Sequence, residues 1–120
     1  MQYMKRYVKE TYHQIMRHGN QIGHMMILAV MNDICTAYDY AYVWDLEIYT
    51  PYRKKGYGTH ELLEMVYRYG KVYVFPSNPE SERLYARLGE QITINDCPEI
   101  LKPAYQDCGM GYVIKSGDDE

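Results

Sequence analysis

The sequence contains no CxxC pair and no HExxH string. Its three cysteines (Cys35, Cys97, Cys108) and four histidines (His13, His18, His24, His60) are scattered along the chain. That spacing argues against structural or catalytic zinc, so no metal is expected. An odd cysteine count reads as free thiols in a reducing compartment; Cys97 and Cys108 would pair only in an exported protein. No apolar run approaches the roughly 20 residues needed to cross a bilayer, and no apolar segment of the secretory kind follows Met1 to Arg6. The expected location is therefore the cytoplasm, with no membrane partner. Cationic excess is also missing. Lys and Arg total 13 against 16 Asp and Glu, a net charge of −3, so a nucleic-acid partner is not expected either. G-x-G-x-x-G and G-x-x-x-x-G-K-[ST] are both absent, which removes the common dinucleotide and nucleotide loops. With no repeat, linker or low-complexity tract, the 120 residues read as one domain, with residues 115–120 a frayed acidic tail.

What the chain has instead is tyrosine: 15, against one Phe and one Trp. Tyrosine offers apolar area with a polar end, which suits half-buried strands, ligand grooves and interfaces. A compositional habit of the source explains the excess equally well. Because a small open sheet rich in tyrosine can pair with a second copy, a homodimer stays open as a partner.

Patterning predicts a mixed α/β domain. Residues 12–17 and 22–30 are β-compatible, and His18-Gly19-Asn20 between them is turn chemistry, so a hairpin is expected. Residues 2–8 read as an additional strand, with a short helix as the alternative, and residues 32–39 as a connector. Residues 41–49 form the strongest strand candidate, interrupted by Asp45 and Glu47. Alternation puts both carboxylates on one face if the strand is regular. After Pro51, Leu62, Met65, Val66 and Tyr69 repeat at helical spacing, and Gly70 closes that helix. Residues 71–76 read as a short strand. Asn78 is an N-cap, Pro79 suits the first helical position, Glu80 and Glu82 favour the positive end, and Gly89 stops the helix. Residues 90–95 are expected as a strand, 96–109 as a loop and 110–115 as the last strand.

Between the strand at 41–49 and its helix lies Arg53-Lys54-Lys55-Gly56-Tyr57-Gly58-Thr59. Glycines let the backbone turn sharply and approach a ligand. The first helical turn leaves N–H groups unpaired, and the helix dipole adds positive potential. Such a turn suits a pyrophosphate. It could also be a plain helix start beside a solvated basic patch.

Two strings together resemble the GNAT acetyltransferase family. Arg53, Gly56 and Gly58 match its R/Q-x-x-G-x-G/A signature, and Asn78, Leu84, Tyr85 and Gly89 match its N-x-x-A-x-x-L-Y-x-x-x-G pattern. Ser81 stands for the usual Ala, and Glu90 for the usual Phe. The resemblance covers about residues 12 to 115.

It implies a mainly antiparallel sheet whose central parallel strands splay apart, with helices packed on it. Acetyl-CoA would be the co-substrate, its pantetheine arm in the gap beside Leu46 and Ile48 and its phosphates on residues 53–59. Asn78 would contact the pantetheine or nearby backbone. The acceptor would be a primary amine on a protein, a peptide or a small molecule, attacking the thioester directly. A backbone N–H such as that of Ile48 would stabilise the oxyanion, Tyr85 would protonate the leaving thiolate, and Glu47 or Asp45, or a water chain, would take the amine's proton. A protein that binds acyl-CoA or a partner without catalysis is the alternative. The family's usual pair of helices ahead of the hairpin has no counterpart in the roughly ten residues before it. The acceptor side should therefore be open or completed by a second subunit, with residues 96–109 as its other wall.

Overall fold

The structure is a computed structural model and describes residues 7–31 and 37–116. Cys35, residues 32–36 of the expected connector, most of the expected strand at 2–8 and the end of the acidic tail lie outside the described residues. In chain order the elements are β1 (Tyr7–Arg17), β2 (Asn20–Met31), β3 (Tyr38–Ile48), α1 (Tyr57–Tyr69), β4 (Lys71–Val74), α2 (Pro79–Leu88), β5 (Glu90–Ile92), α3 (Lys102–Cys108) and β6 (Gly111–Lys115). Among the described residues one sheet runs β1-β2-β3-β4-β6-β5. Only β3 and β4 are parallel; every other neighbouring pair is antiparallel. This is the mixed, mainly antiparallel α/β sheet the sequence predicts.

The hairpin turns where expected. His18 and Gly19 both take positive φ (52° and 81°), the twist-matched turn that suits right-handed strands. β1 is longer than its sequence signal. Tyr7 and Val8 pair with Met31 and Val30, so they extend β1 instead of forming a strand of their own.

Burial follows the pleat. Val72 and Val74 of β4 face a core with Met25, Ile27, Ala41, Val43, Leu62, Met65 and Ile114, while Tyr73 and Phe75 face a second core with Cys97, Leu101 and Val113. Helices α1 and α2 build the first layer; α3 and the turn before it build the second. Cover on both faces explains why Val72 to Phe75 is an unbroken apolar string.

The expected loop at 96–109 is the main correction. A 3₁₀ turn, Ile94–Asp96, leads into it, and the segment itself holds a second, Glu99–Leu101, and then α3. Pro98 and Pro103 suggested a loop, but Pro103 falls in the first turn of α3, where no backbone N–H is needed. A seven-residue helix is too short to stand alone. Tyr105 anchors it by donating from its hydroxyl to the Ile92 carbonyl (3.2 Å) and by meeting Phe75 edge-on. β5 stops at Ile92 because a 3₁₀ turn, capped by the Thr93 side chain, follows it.

Among the described residues one charged side chain is buried. Glu61 of α1 is buried and accepts from Arg17 Nη2 (3.1 Å), with His13 Nε2 3.4 Å away; both partners come from β1. The Arg17 guanidinium also lies over the Tyr57 ring, 5.2 Å from its centre. Edge strand and helix are thereby pinned through one carboxylate. Glu61→Ala removes a charge-assisted hydrogen bond between partly buried partners and should cost about 2 kcal/mol, read as a lower midpoint in urea with an unchanged slope.

Candidate active site

β3 and β4 pair only at Ala41 with Val72 and Tyr42 with Tyr73. Past Tyr42 the two strands part while β3 runs on to Ile48. The cause is visible in β3. Asp45 takes φ 54°, and the register slips so that Trp44 faces Met26 while Glu47 faces His24. Asp45 and Leu46 together oppose Met25, a β-bulge that bends the strand. Gly23 admits the bend. A Cβ there would sit 2.3 Å from the Glu47 carbonyl oxygen, so β2 passes too close for any side chain.

The gap opens into a cleft of about 640 Å³. Asp45, Leu46, Glu47 and Ile48 form one wall, with Asn78, Ser81, Leu84 and Tyr85 on the other. Its foot is Arg53, Lys54, Gly56, Tyr57, Gly58 and Thr59. Every sequence-predicted site residue except Lys55 thus lines one cavity; Lys55 is exposed and lies off its wall.

The two helices that border the cleft begin differently. At α2, Asn78 Oδ1 accepts from the Ser81 N–H (2.8 Å), and Ser81 Oγ accepts from the Asn78 N–H (3.3 Å), a complete capping box. Ser81, where the family string has Ala, closes that helix end itself. At α1 the cap is Gly56, with φ 84°, no side-chain bond and no acidic residue in the first turn. Lys54 (φ 65°) and Gly56 both turn left-handed, which tilts successive backbone N–H groups inward. The end of α1 therefore presents positive potential and donors to an anion, while the start of α2 is engaged by its own capping box and carries Glu80 and Glu82 in its first turn.

Tyr85 sits at the other end of the cleft, 7% exposed. Burial pushes its phenol up to about 12, with smaller contributions from nearby Tyr42 and Cys108, so it holds its proton at neutral pH.

The sequence profile described as the Acetyltransferase (GNAT) family matches residues 1–89 of the 120. The chain belongs to the GNAT acetyltransferase family. No curated protein and no solved structure matches the chain closely enough to add to that assignment. GNAT membership implies acyl-CoA-dependent acetyl transfer in general. The match ends at Gly89, at the close of α2, so β5, α3 and β6 lie beyond it.

In this GNAT chain Arg53 lines the cleft but folds back onto β3. Its Nε donates to the Ile48 carbonyl (2.6 Å), and its Nη2 lies 3.8 Å from Glu47 Oε2. The arginine thus fixes the end of β3 and leaves only part of its guanidinium facing the cleft.

The two carboxylates also differ from expectation in one respect. β3 is not regular, so alternation does not govern them. The bulge nonetheless turns Asp45 and Glu47 toward the same imidazole: His24 Nε2 lies 3.5 Å from Asp45 Oδ2 and 3.8 Å from Glu47 Oε1. His24 Nδ1 meets the Tyr49 hydroxyl at 3.2 Å, and Gln21 Nε2 donates to that hydroxyl and to Tyr12, each at 3.2 Å. Sequence reasoning missed His24, Tyr49 and Gln21. They come from three separate positions that only the β2–β3 register joins, and the one local signal was a histidine opposite a carboxylate in an expected strand pair.

A second, shallower hollow of about 310 Å³ lies between β1 and α1. Its buried acid, Glu61, is already engaged by His13 and Arg17, so it offers nothing further to a ligand.

Proposed function

We propose that this protein is an acetyl-CoA-dependent N-acetyltransferase whose acceptor is the lysine amine of a protein or peptide. The observation that carries the proposal is the splayed β3–β4 gap, with an uncapped helix end at its foot and a buried, protonated Tyr85 at its head. The donor set suits a CoA ester: the first-turn N–H groups of α1 and the Lys54 side chain would take the pyrophosphate, and the unpaired edge of β3 around Leu46 to Ile48 would pair with the amide-bearing arm. With Oδ1 of Asn78 committed to its cap, its amide nitrogen is the atom left for that arm. Acetyl-CoA would supply the thioester-activated acetyl group.

The rest is done by the chain. An acceptor ammonium must lose a proton before it attacks, and Glu47 and Asp45 are the bases at hand, directly or through water. Backbone N–H groups on the open edge of β3 stabilise charge that builds on the carbonyl oxygen. Tyr85 donates a hydrogen bond to the departing thiolate. A phenol near 12 is a weaker acid than an ordinary thiol, so complete transfer relies on the thiolate being desolvated in the same cleft.

The carboxylates favour a tethered acceptor. Asp45 is 56% and Glu47 47% exposed at the side chain, an opening that suits a lysine reaching in from a larger molecule. The test is a panel of lysine peptides and small polyamines with acetyl-CoA, followed by CoA-thiol release and by mass of the product. The expected result is acetyl-lysine peptide, formed with higher kcat/KM than any acetylated small amine. Preference for a small amine overturns the acceptor assignment, and bound acetyl-CoA with no transfer to any amine identifies a binding module.

A further inference from the structure

His24 of β2 reaches both candidate bases, and its surroundings fix which way its ring is used. From β3 it faces Asp45, Glu47 and Tyr49; from β1 it faces Tyr12, whose ring stacks on it at 5.7 Å between centres. Glu47 is in turn 3.8 Å from Arg53. A neutral imidazole carries one proton. With two carboxylates beside Nε2 and a phenol beside Nδ1, that proton is favoured on Nε2, while Nδ1 accepts from Tyr49. Gln21 supports this polarity, since its amide nitrogen donates to the Tyr49 oxygen and leaves the phenolic proton for His24. The Tyr49 phenol is held above its ordinary value, by desolvation first and then by Tyr12 and Glu47, so it keeps that proton.

Asp45 and Glu47 are each about half exposed, on and just past the bulge; Arg53 touches only Glu47, whereas His24 faces both. We propose that His24 is a positioning residue: its Nε2–H gathers Asp45 and Glu47 into a single anionic clamp that receives the acceptor's ammonium. This rests on the acetyl-transfer reading above for its kinetic consequence, but the clamp itself is a property of the free protein. His24 touches neither donor nor acceptor; it acts by keeping two flexible carboxylates converged. Misplacement of a reacting group by about 1 Å can cost about 100-fold, so loss of the clamp should be felt on the amine side alone.

The experiment uses the full chain with His24→Phe, which keeps the ring stacking, and His24→Gln, whose amide N–H reaches toward the same carboxylates. His24→Phe should retain acetyl-CoA affinity and thermal midpoint while kcat/KM for the amine falls about tenfold to a hundredfold, mainly through KM. His24→Gln should recover most of that loss. Unchanged amine kinetics in His24→Phe, or an equal loss of acetyl-CoA affinity, overturns the assignment, as does absence of recovery in His24→Gln. Ring ¹⁵N spectra of the wild-type protein decide the clamp without any activity. Nε2–H with an accepting Nδ1 supports it, and an Nδ1–H tautomer overturns it. If wild type transfers acetyl to no amine, the acetyl-transfer reading fails while the ring spectrum still judges His24.

Discussion

Tyr85→Phe is expected to lower kcat about a hundredfold, the lower range for loss of a positioned acid, while the Kd for acetyl-CoA stays within about twofold, a few tenths of a kcal/mol. The ring remains to fill its place in the first core, which it shares with Val74 and Tyr112, and only the hydroxyl is lost. Presteady-state release of CoA thiol, with Kd from calorimetry, separates the two quantities. Unchanged kcat removes Tyr85 from the chemistry. The raised phenol makes a second statement that needs no substrate. Its folded value of about 12 exceeds the ordinary 10.0, so the folded protein binds more protons than the unfolded one between those limits. Stability from this group is complete below about pH 10 and is lost as pH rises through about 12, with a ceiling near 2–3 kcal/mol. Tyr85→Phe, having nothing to ionise there, should show a shallower fall in stability above pH 10.

The second large effect is at the foot of the cleft. Gly56→Asp should abolish acetyl-CoA binding, weakening it by about 100-fold or more, while the protein stays folded. The structure allows the variant. A Cβ on Gly56 meets nothing within 4 Å, so the penalty is the left-handed backbone alone, about 1–2 kcal/mol and less for Asp than for most residues. What the variant adds is a carboxylate at the mouth of the α1 N–H groups, where it competes with any phosphate and repels it. Gly56→Ala is the matched control. It carries a left-handed backbone penalty at least as large, without the charge, and should retain most of the affinity. Equal loss in both variants would place the effect in the turn's shape, and loss in neither would move the anion elsewhere.

Local rules were enough to read the parts of the site that are local. Asn78, Pro79 and Gly89 bracket α2 because caps depend on residues within one turn of each other. The same holds for Gly56 before α1 and for the His18-Gly19 turn. The parallel pairing of β3 and β4 came from the family resemblance carried by the two strings, not from local rules.

What escaped was decided by tertiary contact. α3 has little helical signal of its own, and two prolines disguise it; Phe75 and Ile92 hold it in place. The bulge rests on Asp45 at φ 54°, a conformation that no pattern of residue types announces. Gly23, which permits the bulge, lies on a different strand. Glu61, four residues before Met65, is buried at the border of the apolar face of α1, and its burial makes sense only once His13 and Arg17 arrive from β1. His24 was missed for the same reason, being 21 positions before Asp45 in the chain and 3.5 Å from it in the fold.

Thermal unfolding of the wild-type protein, with and without acetyl-CoA, tests the central claim that the splayed cleft is an acyl-CoA site. At about 100 times Kd the ligand should stabilise the fold by roughly 2.7 kcal/mol, several degrees for a domain of this size. No shift at millimolar acetyl-CoA would contradict it.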